Sequence, residues 1–135
     1  QMLIAMGLQD DYIEIQRLNR GGLAWTDCEH RVLGFDHASL STEALRSWKL
    51  PQPICVAVGQ HHDPPPVGPG APLPLGRVLQ AADTYANGFG LTIRADNPED
   101  DGREGLLALG LAPAALDRIL EQFHAEHNAI GQYYQ

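Results

Sequence analysis

The chain has 135 residues, 44% of them hydrophobic and 19% charged, which fits one globular domain with a single modest core. Seventeen Asp+Glu against nine Lys+Arg leave a net charge of -8. That balance excludes the basic face of a nucleic-acid binder and the basic helix of a membrane-surface protein. No run approaches the roughly 18 apolar residues that span a bilayer, and no basic flank of a signal peptide opens the chain, so a cytoplasmic location is expected.

Residues 2–20 read as one helix or two short ones, with Leu3, Ile4, Tyr12, Ile15 and Leu18 apolar and a stop at Gly21-Gly22. The run Thr26-Asp27-Cys28-Glu29 matches a capping box, in which Thr26 caps a helix and Glu29 reaches back to it. Gly34 suits that helix's C-terminus, and Asp36 suits the N-cap of the next, which runs to about Lys49 with the stripe His37, Ser41, Ala44, Leu45, Trp48. Pro53 fits the first turn of a helix with the stripe Ile54, Ala57, Val58, His61.

The Pro/Gly-rich stretch Asp63–Pro74 is a loop, followed by a helix marked by Leu75, Val78, Leu79, Ala82, Ala86 and Phe89. A polar loop "RADNPEDDG" precedes a short helix near Arg103–Leu109. Pro113 opens a long last helix with the face Leu116, Leu120, Phe123, His127, Ile130, Tyr134. The expected architecture is all-α, a compact bundle of about seven helices forming a single domain over 1–135. Cys28 and Cys55 have no CxxC spacing and read as buried small hydrophobes rather than a disulfide.

The chemistry-bearing residues are His37, the pair His61-His62 and Asp83. His37 and His61 fall on apolar faces, His62 lies about 100° around the helix from His61, and Asp83 lies one turn after Leu79. Imidazoles with a carboxylate suit zinc, iron or manganese. The same residues can instead satisfy one another as a buried polar cluster. His124 and His127, spaced i, i+3, read as one core and one surface histidine. His30 reads as a solvent-facing residue.

The segment "EHRVLGFDHASLSTEALRSWKLPQPICVAVGQHHDP", with "PLGRVLQAADTYA" after it, resembles the HDOD domain, a bacterial signalling relative of the HD metal-dependent phosphohydrolases. The resemblance runs over roughly Glu29–Ala86, the opening helix also fitting, and places the chain in the C-terminal portion of that domain. It implies an HD-like helical fold and, in catalytic relatives, a metal centre at positions matching His37, His61, His62 and Asp83. Two departures argue against activity: no His-Asp dyad precedes this segment, and "DPPPVGPGAP" replaces the Gly-Tyr-Pro that follows the His pair in cyclic-dinucleotide hydrolases. Ser41 stands where the family usually has Gly.

The resemblance therefore implies a non-catalytic regulatory module with no cofactor and no catalytic or metal-binding residue, acting on signalling proteins or fused domains. The alternative is a phosphohydrolase, a cyclic-dinucleotide or nucleotide phosphodiesterase using iron, manganese or zinc, with its remaining ligands outside this chain. If the chain begins after the dyad helix, part of its core is uncovered. A homodimer is then expected, by exchange of terminal helices.

Overall fold

The computed structural model of the chain describes residues 7–68, 70–91 and 102–131. These residues form seven helices and no strand: α1 (Gln9–Arg20), α2 (Trp25–Leu33), α3 (His37–Ser47), α4 (Gln52–Gly59), α5 (Leu75–Gly88), α6 (Arg103–Leu107) and α7 (Pro113–Gly131). The all-α expectation holds. Leu3, Ile4, Tyr134 and most of "RADNPEDDG" lie outside the described residues.

Consecutive helices pack on one another, α1 on α2, α3 on α4, α4 on α5 and α5 on α6, so the chain builds its core by local pairing. At the α1–α2 contact Ile15, Trp25 and Cys28 are buried, with Tyr12, Leu18, Val32, Leu33, Phe35 and Leu40 packed around them. The Tyr12 and Trp25 rings meet edge-on at 5.9 Å. Cys28 and Cys55 are free and fully buried, as expected.

The helix stops are those of the sequence. Gly34 closes α2 in the left-handed conformation (φ 80°) that a side chain resists, and the Asp36 carboxylate caps α3 by accepting from the Ser39 N–H at 2.7 Å. The capping box does not form. Ala24 is the N-cap of α2, and Trp25 and Thr26 already lie inside the helix. Glu29 is therefore more than a turn from the helix end and cannot reach back; it turns inward beneath Trp25, four residues before it.

Two buried faces are rotated from the expected ones. In α3, His37, Ala38 and Thr42 are buried and Trp48 is 68% exposed. Small residues let α3 and α4 approach closely, with Thr42 Oγ1 bonded to its own helix at Ala38 O (2.8 Å). In α5, Gly76 and Ala81 face inward while Leu75 and Phe89 are exposed. Close helix crossings select small side chains, which a stripe of large apolar residues does not reveal. Along α7, Leu116 and Leu120 are buried as expected, but Ile130 is exposed.

Candidate functional site

His37, the first residue of α3, is held where the Asp36 cap starts the helix. His61 and His62 follow the end of α4 at Gly59, at the mouth of the Pro-rich loop. The fold brings the three rings together: centroids lie 5.4 Å apart for His37–His61, 4.7 Å for His37–His62 and 3.9 Å for His61–His62. One ring nitrogen from each falls within 4.8 Å of the others. His37 and His61 are buried, and His62 is exposed.

Asp83 is not among the residues whose ligand atoms lie within 4.8 Å of one another, although its charge acts on His62. It lies on the exposed side of α5, where its carboxylate accepts from Asn87 Nδ2 at 3.0 Å. Asp83 entered the predicted ligand set from its place one turn after Leu79, but α5 is rotated so that Ala81 is the inward residue. The carboxylate at the cluster is Glu29, fully buried and shared by three donors. Its Oε1 accepts from Trp25 Nε1 at 2.9 Å. Its Oε2 accepts from the His37 backbone N–H at 3.0 Å and from the His37 Nδ1–H at 2.6 Å. The sequence reading gave Glu29 to a cap and missed Trp25; the signal available for Glu29 was its place at the head of the Glu, Gly-x-x-His pattern.

With all three rings neutral, these bonds select one set of tautomers. With Nδ1–H of His37 donated to Glu29, its Nε2 lone pair accepts from the Nε2–H of His62, 2.8 Å away. His61 Nδ1–H donates to the Val58 carbonyl at 2.6 Å, which leaves its Nε2 as the basic nitrogen. Burial pushes the Glu29 carboxyl up, but the ring and backbone N–H of His37, with Trp25, outweigh it and hold Glu29 below the usual carboxylate range. Burial, then the neighbouring His61 and His37, push His62 down from 6.5 to about 4, against the pull of Asp83 and Glu29.

Chemically the cluster is a relay, Trp25 to Glu29 to His37 to His62, with His61 alongside. Carboxylate- and carbonyl-anchored imidazoles are also the usual outer-shell arrangement of metal-bound histidines. Tetrahedral coordination with metal–nitrogen bonds of about 2.05 Å sets the nitrogens roughly 3.3 Å apart. The His37 and His62 nitrogens would thus have to separate by roughly half an ångström from their present 2.8 Å.

His124 and His127 form no second cluster of ligands. Both are half-buried in an aromatic group with Tyr85, Phe89 and Phe123, rather than one in the core and one at the surface. His124 Nε2 and the Tyr85 hydroxyl share a hydrogen bond of 2.8 Å. His30 is exposed, as expected, with Nδ1 3.1 Å from the Thr26 carbonyl.

No helix among the described residues is long and apolar enough to cross a membrane. No curated protein and no solved structure matches the chain significantly. The expected extent of the family resemblance, through Ala86 and in the C-terminal portion of the domain, is not borne out: the match lies in the N-terminal half of the chain and ends just after the His pair. What the chain is similar to, over residues 1–64, is the HDOD domain, a module related to the HD superfamily and associated with signalling.

Proposed function

We propose that the chain is a non-catalytic bacterial signalling module that works in the cytoplasm through contacts with fused domains or other proteins, its histidine cluster a polar tie between helices. The observation that carries this reading is the closure of the cluster on itself. Glu29 absorbs the Nδ1–H of His37, and His62 occupies the other nitrogen of that ring. The Asp83 carboxylate accepts from Asn87 Nδ2 and lies outside the group of converging ring nitrogens. A buried polar group linked in this way joins α2, α3 and the end of α4 and fixes their register. No residue has a catalytic role in this reading, and no cofactor is required.

A second reading is favoured by the convergence of three imidazoles, which suits zinc, iron or manganese. In that reading His37, His61 and His62 would hold the ion with Asp83 as its oxygen ligand, and Glu29 would orient His37. Such an ion lowers the pKa of a bound water and so supplies a nucleophile for phosphoester hydrolysis.

Elemental analysis of the chain purified with and without oxygen separates the two. The expected result is iron, manganese and zinc each well below one per chain, and no hydrolysis of cyclic dinucleotides after metal is added. Metal near or above one per chain, lost in His37→Ala and accompanied by hydrolysis, overturns the non-catalytic reading.

A further inference from the structure

A cleft separate from the histidine cluster lies between the Pro-rich loop, α5 and α6, with a volume of about 410 Å³. This is within the range of small-molecule sites. Its walls are mixed: Val67 and Leu73 from the loop, Ala81 from α5 and Leu109 just past α6 are apolar, and Gln80 and Thr84 of α5 are polar. Val67 and Leu73 remain 46% and 42% exposed, so the loop presents apolar surface to the opening.

The single charged group in the lining is Arg77. Its Nε donates to the Pro65 carbonyl at 3.2 Å, which ties the guanidinium to the loop. Among the described residues its other guanidinium N–H groups meet no carboxylate. At the edge of the cleft, the guanidinium face that Pro65 does not occupy is open to an acid from outside.

We infer that this cleft binds a small apolar carboxylate, its carboxyl paired with Arg77 and its hydrocarbon body against Val67, Leu73, Ala81 and Leu109. The planar fork of one guanidinium pairs bidentately with a carboxylate. A phosphate dianion would call for further cations, and the lining has none. At roughly 30 Å³ per water-sized unit the cleft takes about a dozen heavy atoms, the size of a medium-chain or aryl-substituted acid. Gln80, in the same lining, donates to the His62 carbonyl at 3.3 Å, so the site adjoins the histidine cluster while sharing none of its side chains.

The test is an amide NMR titration of the full chain with octanoate, and with octan-1-ol and octylamine as neutral and cationic counterparts. Octanoate is expected to shift Ala81, Gly105 and Leu109 saturably, and octylamine to leave them in place. Arg77→Gln is expected to weaken octanoate by about tenfold or more while octan-1-ol binds unchanged, since one charge-assisted pair is lost. Because Arg77 also anchors the loop, Ala108→Trp provides an independent check: Ala108 is an exposed member of the lining, and the indole fills the cleft without entering the core. It is expected to abolish octanoate binding. The inference is overturned if octanoate shifts no lining residue, if octylamine binds as tightly, or if either variant binds octanoate like the parent chain.

Discussion

At the scale of single residues, Glu29 is the carboxylate that anchors the histidine cluster. Its carboxylate serves Trp25, the His37 backbone and the His37 ring from a fully buried position. Glu29→Ala strands all three donors and is expected to cost several kcal/mol in urea denaturation, at about 1–3 kcal/mol for each buried donor left unsatisfied. Glu29→Gln keeps the shape and one acceptor oxygen and should cost less; equal losses for the two would show that volume, not hydrogen bonding, matters here. The same residues set an acid limit. His62 has a folded pKa of about 4 against an ordinary 6.5, so unfolding takes up a proton between those values. Its contribution is complete above pH 6.5 and lost as pH falls toward 4. Glu29, also held below its ordinary value, adds a loss that begins as pH falls below about 4.3. Denaturation midpoints should therefore fall from pH 7 to pH 4.5, and His62→Gln should flatten that first decline.

At the scale of helices, the α3–α4 crossing positions the cluster, because His37 begins α3 and His61-His62 follow α4. The crossing is tight at Gly59: a Cβ there would come 2.8 Å from Thr42 Oγ1. That hydroxyl is itself bonded to Ala38 O and lies 3.4 Å from Cys55 O, so it has little room to retreat. Gly59→Ala is expected to destabilise by about 1–3 kcal/mol. In the double variant with Thr42→Ala, where the obstructing oxygen is gone, the two costs should sum to less than additively. Strict additivity would mean the helices separate at this point without strain. This crossing also explains the misread stripe on α3: small residues face α4, while Trp48, the largest apolar residue in the predicted stripe, is exposed.

At the scale of the whole molecule, α7 leaves apolar surface outside the core. Ile119 and Ile130 are 52% and 58% exposed and, eleven residues apart, share one helix face. Covering that face by a second copy is the proposed homodimer, and light scattering should give twice the 14.7 kDa chain mass; a mass of one chain at high concentration refutes it. The sequence by itself determined the all-α class, the stops at Gly34 and Asp36, the Pro-rich loop and the trio His37, His61, His62. Caps, glycines, prolines and helical periods act over a few neighbouring residues, and the His pair sits where such local signals end a helix. Only the tertiary structure decided that Glu29 bonds to His37, that the Asp83 carboxylate is bonded to Asn87, and that Arg77 borders a cleft. Each of these depends on a helix's rotation about its axis, and that rotation is set by which small residues meet at the crossings rather than by any one helix's own pattern.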